Sequence, residues 1–464
     1  MSDSDASSVK TKAEDQPVVL DLVDGPYRPT SSLASKAHTT ISVTALLFRL
    51  PFHLLWHYIF YRLWSPYVQD LGRSWVTEAV AQVTRLAIMR LSLTSSRYFY
   101  TLSATKPNEW LGETLSIAGT RGKWIAPPGT EGKRAEDDLV MLFIHGGAFV
   151  LDMSPSCDFQ LLLSKEMHAR GVKFSIFMHD YQLAPEKLYP SQLIECLAAY
   201  HYLVNELGIS PAKICLAGDS AGGNLVTSLL LHLARPNPKI YVPKALGPTP
   251  ERPGSVMLIS PWIDLLSRRL SRTPSYISDY IEHGGVFNGA LCYVGAVRPY
   301  PPEVAGRRDA PSWRPLDILF DRDPADGPPE EVTVEKLRPK VEEAEKEGKG
   351  LALLASPYVN PSTEVVTDRS WYKEALPGNG KTFVSWGGKE IFADDIADFV
   401  SVLDEAGVAP YKLVKPLGPH DWPILDAFLP IAAQDRLGGE QSKPGYAIGA
   451  VADWLVERAK EVKA

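Results

Sequence analysis

The chain has 464 residues, 45% hydrophobic and 22% charged, an ordinary globular balance with room for one large domain or two. Its formal net charge of -7 provides no basic footprint, so no nucleic-acid partner is expected. Cys157, Cys196, Cys215 and Cys292 show neither CxxC pairing nor regular spacing, which argues against a zinc site or disulfide framework and favours buried thiols in a reducing, intracellular compartment.

Residues 1–36 mix Ser, Asp, Lys and Pro without apolar periodicity and read as a disordered tail lacking the apolar centre of a signal peptide. The stretch 41–63, ISVTALLFRLPFHLLWHYIFYRL, is apolar and aromatic for about a bilayer span, but Arg49, Pro51, His53, His57 and Arg62 interrupt it. Two readings stay open for it: an interfacial membrane anchor, or helices capping an apolar pocket. Val76, Val80, Val83, Leu86 and Ala87 recur at helical spacing and predict another amphipathic helix within 74–92, so 37–111 reads as a set of apolar helices.

From about Gly112 the pattern changes to strands alternating with helices, and 112–464 reads as one α/β domain. Strands are predicted at 139–144, 173–178, 214–217, 256–259, 382–386 and 411–414, with helices at 192–207, 221–233 and 391–405. This order implies a mostly parallel, doubly wound sheet with helices on both faces. The segment 267–351 breaks the alternation with PYPPEV and DPADGPPEE and reads as an insertion whose last part, 334–349, is almost entirely charged.

The predicted strand ending at Ala217 runs into Gly218-Asp219-Ser220-Ala221-Gly222 and then an apolar helix, the strand-turn-helix setting of a G-x-S-x-G nucleophile elbow. A serine hydroxyl is a weak nucleophile at neutral pH and needs a base, and His232, His283 and His420 are the histidines that follow Ser220. His232 sits three turns along the elbow helix and His283 lies in the insertion. His420 follows the last predicted strand on a Pro/Gly loop, where an imidazole can be delivered to a strand's C-terminal end. The carboxylate that orients it is expected after the penultimate strand, which selects Glu390, with Asp394 as runner-up. His145-Gly146-Gly147-Ala148-Phe149 follows the strand LVMLFI, so the N–H groups of Gly146 and Gly147, joined by that of Ala221, are the expected oxyanion donors, flanked by His145 and Asp219.

HGGAF at 145–149, DYQLAPE at 180–186, GDSAGG at 218–223 and SPW at 260–262 together resemble the hormone-sensitive-lipase family of α/β-hydrolases. The resemblance covers about 112–266 and 351–425, and implies an α/β-hydrolase fold with an eight-stranded sheet and a helical cap built from N-terminal helices and an insertion after the sixth strand. It implies that Asp180 and Glu186 brace the loop beneath the site. The family loop usually has a third glycine where Ala148 stands, and its acid is usually Asp where Glu390 stands. The layout is also similar to membrane-associated steryl acetyl hydrolases and arylacetamide deacetylases.

The expected chemistry is two-step acyl transfer on a small-molecule ester, with neither metal nor organic cofactor, a short acyl group such as acetyl and a lipophilic alcohol. Lactone or amide hydrolysis would use the same residues. A non-catalytic small-molecule receptor on the same fold, similar to the gibberellin receptors, would have lost the base, whereas His420 is present. The 41–63 stretch leaves cytoplasmic and endoplasmic-reticulum membrane locations open.

Overall fold

Runs of consecutive apolar residues become the inner strands of a single sheet. The computed structural model describes residues 33–56, 79, 81, 83–85, 93–102, 104–117, 119–238, 240, 247–267, 279–281, 283–295, 350–429 and 439–463. β1 (Leu111–Ile117), β2 (Thr120–Ile125), β3 (Leu139–Ile144), β4 (Phe174–His179), β5 (Ile214–Asp219), β6 (Ser255–Ile259), β7 (Thr382–Gly387) and β8 (Tyr411–Lys415) are ordered β1-β2-β4-β3-β5-β6-β7-β8. β2 pairs antiparallel with β1 and β4, and the remaining pairings are parallel.

Alternate side chains of the central strands divide between two cores, as the two-residue period of a strand requires. Val140, Leu142, Ile144, Leu216, Val256, Leu258 and Val384 face the helices Ser191–His201, Ser220–Ala234 and Ala393–Glu405. Met141, Phe143, Cys215, Ala217, Met257, Ile259 and Phe383 face Asp158–Ala169, Trp422–Phe428 and Tyr446–Lys463. Each Val, Leu, Ile, Met or Phe among them, once fully buried, stabilises the fold by about 1.5–3 kcal/mol, so both faces need their helices. The parallel register puts Ile144 beside Gly218 and Gly218 beside Leu258, which gathers the C-terminal ends of β3, β5 and β6 at one edge.

The eight-stranded, doubly covered α/β sheet matches the expectation, and the six predicted strands recur as β3 to β8. The helix expected at 192–207 ends earlier, at His201, and continues as one wider turn over Tyr202–Glu206. The helix Leu33–Leu55 begins inside the segment assigned to the tail, while 1–32 and 57–63 lie outside the described residues. It packs against Leu93–Leu102, and the Lys36 ammonium lies 5.6 Å from the Tyr98 ring centre. Among the described residues no helix is long and apolar enough to cross a membrane. Of the insertion, 279–281 and the helix His283–Tyr293 are described, with Val286, Ala290, Leu291 and Tyr293 buried in the main core, whereas the charged run 334–349 lies outside the described residues. The four cysteines are buried free thiols.

Candidate active site

A sharp strand-to-helix turn holds Ser220. β5 ends at Asp219 and the helix starts at once, which forces Ser220 to φ 51°, a left-handed conformation that a serine adopts only under constraint. Gly222 makes that turn possible, because a Cβ there would stand 2.0 Å from the Ile144 carbonyl oxygen. Ala221 follows in the first helical turn, where N–H groups have no intrahelical acceptor.

Three successive residues with positive φ, Gly147 at 99°, Ala148 at 52° and Phe149 at 63°, fold the HGGAF loop back over this turn. Phe149 is fully buried and stacks on Tyr293 of the insertion helix with ring centres 3.9 Å apart. The insertion therefore packs directly on the loop. The structure differs from the sequence reading at Gly146, whose N–H donates to Asp219 Oδ1 at 3.0 Å and is thereby committed. Gly147, Ala148 and Ala221 are left as the donor candidates. Asp219 is buried against that loop, and burial raises its carboxyl to about 7 while the Gly146 N–H opposes the rise.

Beneath the loop, the His145 ring stacks on Tyr181 at 4.3 Å, and the Tyr181 hydroxyl donates to the His145 carbonyl at 2.9 Å. Asp180 pairs with Arg121 at 2.8 Å. Glu186 takes both guanidinium nitrogens of Arg97 at 2.8 and 2.9 Å, and the same arginine donates to the carbonyls of Val150 and Ala184. Both carboxylates thus act as braces through arginine partners that the sequence reading did not single out.

The candidate acid and base come from the loops after β7 and β8. Glu390 is fully buried, and its Oε2 accepts from the Gly387 N–H and the Ser260 hydroxyl, each at 2.7 Å. Its Oε1 is 3.5 Å from His420 Nδ1. One carboxyl oxygen is thus fixed while the other faces the imidazole. The loops are pressed together because Gly387 has no side chain: a Cβ there would meet the Gly418 and Pro419 carbonyl oxygens at 2.2 and 2.4 Å. Burial pushes Glu390 up to about 8, against the pull of its two donors. Burial also pushes His420 down to about 4, against the Asp279 carboxyl. Both shifts have one cause, the cost of charge in a dry site.

Ser260, at φ 40°, links these parts. Besides donating to Glu390 it accepts the Asp421 N–H at 3.0 Å, and two residues on the Trp262 N–H donates to the Ser220 carbonyl at 2.9 Å. Segment 260–262 therefore connects all three loops. SPW was visible as a motif, but nothing in its residue types announced this role. Asp421 was missed as well: its Oδ2 lies 3.2 Å from His420 Nε2, and its carboxyl is raised well above the usual range by burial and by Asp219, Glu390 and Asp279. Asp421 and Asp219 are thus near enough for their charges to interact, which puts the loop after β8 in the neighbourhood of the elbow.

The other candidates fall elsewhere. His232 is 12 residues along the elbow helix, about 18 Å at 1.5 Å per residue, where it packs edge-on to Tyr358 and burial lowers it to about 4. His283 opens the insertion helix. Asp394 is exposed in the first turn of Ala393–Glu405.

A family model described as the α/β-hydrolase fold matches residues 141–304, from β3 through Ser220 into the insertion. The chain has the α/β-hydrolase fold. Among curated relatives, steryl acetyl hydrolase 1 of Saccharomyces cerevisiae is 32% identical over 136 residues, covering 28% of either chain. Hormone-sensitive lipase of Mus musculus is 42% identical over 98 residues, covering 20% of this chain and 12% of the lipase. The chain thus spans well under two thirds of these relatives. The crystal structure of an esterase from the bacterial hormone-sensitive lipase family superposes with a TM-score of 0.54 at 23% identity, covering 84% of this chain and 99% of the esterase. Glu390 and His420 lie beyond the range that the family model matches.

Proposed function

We propose that the chain is a serine carboxylic-ester hydrolase in which Ser220 attacks the ester carbonyl, His420 takes and returns the proton, and Glu390 orients His420. The N–H groups of Gly147, Ala148 and Ala221 receive the developing oxyanion, and water then releases the acyl group from Ser220. The observation that carries this reading is the clamped Glu390, with one oxygen held by Gly387 and Ser260 and the other 3.5 Å from His420 Nδ1. A carboxyl buried in that way has a use as the partner of an imidazole. The relatives named as acetyl-hydrolases and lipases support ester hydrolysis, and the steryl acetyl hydrolase supports a short acyl group on a lipophilic alcohol.

The helix Leu33–Leu55 supports an interfacial role beside this activity. Ile41, Leu47, Phe48, Phe52 and Leu55 are exposed on it, and Trp56 is exposed just beyond its end. Between Asp24 and Asp70 the chain has no acidic residue, although its net charge is -7. An apolar, acid-free segment of this kind suits the surface of an anionic bilayer and supports association with the endoplasmic-reticulum or another internal membrane. Flotation with phosphatidylserine vesicles should retain the full chain and lose a chain beginning at residue 67. Equal flotation of the two would remove the membrane role.

The activity is tested with p-nitrophenyl esters of increasing acyl length, using the full chain and Ser220→Ala. Hydrolysis should be fastest for the acetate and lost on substitution. Equal rates from the two proteins would refute the esterase reading.

A further inference from the structure

We propose that Asp279, supplied by the insertion, is a positioning residue that holds the acid and base loops in register for catalysis. The proposal deepens the esterase reading and rests on it.

The carboxyl of Asp279 is fully buried and bridges two backbones. Its Oδ2 accepts the N–H of Ile391, the residue after Glu390, at 2.9 Å. Its Oδ1 accepts the N–H of His420 itself at 3.1 Å, together with the neighbouring Tyr280 N–H at 2.8 Å. One side chain therefore fixes the peptide after the acid and the peptide that leads into the base. Those two peptides belong to loops after different strands, and Asp279 comes from neither. Its own carbonyl accepts the Arg85 guanidinium, from the N-terminal part of the chain. The link consequently joins both components of the expected cap to the reacting groups.

Distances show why such a link affects catalysis. The contact between Glu390 Oε1 and His420 Nδ1 is 3.5 Å, beyond the roughly 2.7–3.2 Å of a good N–H···O bond, so a shift of a few tenths of an ångström between the loops decides whether the bond closes. Two bonds ahead of Glu390 already hold the loops, Gly388 N–H to the Lys415 carbonyl at 2.9 Å and Lys389 N–H to the Gly418 carbonyl at 3.1 Å. Between the Ile391 and His420 amides the connection runs through Asp279, while Ser260 ties the Asp421 amide to the Glu390 carboxyl. The charged forms of Glu390 and His420 face the same carboxyl, one repelled and one attracted by it, while the Tyr280 ring lies 6.0 Å from the imidazole.

Misplacing a catalytic group by about 1 Å costs about 10²-fold in rate. Asp279→Ala removes both acceptor oxygens and with them all three hydrogen bonds, and Asp279→Asn keeps the shape but turns an amide N–H₂ toward one of the backbone N–H groups. With p-nitrophenyl acetate and butyrate, kcat should fall about 10²-fold for the alanine variant and about tenfold for the asparagine variant. KM should stay within about threefold, and the loss should be the same for both esters, because orientation of the triad does not depend on acyl length. Wild-type kcat in both folded variants would overturn the proposal. So would a loss confined to KM or differing between the esters, which would make Asp279 a pocket residue. Failure of both variants to fold, judged by thermal melting, would overturn it too, leaving a purely structural role. If the unmodified chain and Ser220→Ala hydrolyse the esters equally, the esterase reading itself has failed and takes the proposal with it.

Discussion

Replacing Glu390 by glutamine tests the acid more sharply than removing it, because the structure dictates which way the amide must face. The Oε2 position receives the Gly387 N–H, a backbone donor that cannot turn away, and the Ser260 hydroxyl, both at 2.7 Å. The amide oxygen has to occupy that place, which puts the N–H₂ group where Oε1 now stands, 3.5 Å from His420 Nδ1. An N–H₂ facing Nδ1 favours the tautomer protonated on Nε2, and that tautomer cannot accept the proton of Ser220. The size is unchanged, so the fold should survive. The wrong tautomer in a serine triad costs about 10⁴-fold in kcat, or about 5.4 kcal/mol of transition-state stabilisation. Steady-state hydrolysis of p-nitrophenyl acetate, with thermal melting as the control, measures it. Glu390→Asp keeps the charge but withdraws it by one methylene and should lose less, about 10²-fold. A Glu390→Gln enzyme within tenfold of wild type would refute the role of Glu390.

The remaining predictions concern neighbouring contacts. Ser260→Ala removes a donor that favours the ionised form of Glu390, so the acid limb of kcat/KM should move to higher pH. It also leaves the buried Asp421 N–H without its acceptor, at about 1–3 kcal/mol of stability, and an unmoved pH profile would contradict this. Gly222→Ala drives a Cβ to 2.0 Å from the Ile144 carbonyl oxygen, a backbone atom that cannot yield, and should cost about 3 kcal/mol or more in denaturant unfolding. Gly289→Ala places a Cβ 2.6 Å from the Ala148 carbonyl oxygen while improving helix propensity, so kcat should drop about tenfold at nearly constant melting temperature. A fall in melting temperature without loss of kcat would mean that the Gly289 contact is not functional.

The parts legible in the sequence are those specified by neighbours in the chain. β3 to β6 were visible because each is a short, wholly buried apolar run, and the elbow because its glycines are local steric necessities. β1 and β2 were not resolved as strands, since LGETLSI is exposed along its middle and TRGKWI carries Arg121, Gly122 and Lys123. The candidates Ser220, Glu390 and His420 came from their order relative to strands, and the structure puts Glu390 and His420 3.5 Å apart. Ser260 and Asp279 could not be chosen that way, because each contacts its partners across more than 100 residues and a lone Ser or Asp leaves no periodic trace. Gly146 was misjudged for a related reason: whether a backbone N–H is available depends on where Asp219 points, and that is a fact of three dimensions.

The grip of Arg97 limits how far the molecule can be shortened. Trimming for crystallisation could discard Leu33–Leu55, whose outer side faces solvent, but a cut through Leu93–Leu102 would strip the carbonyls of Val150 and Ala184 of their shared cation. Val150 follows immediately after the HGGAF turn, so a chain starting too late would carry Ser220, Glu390 and His420 and still leave the proposed oxyanion loop without its anchor.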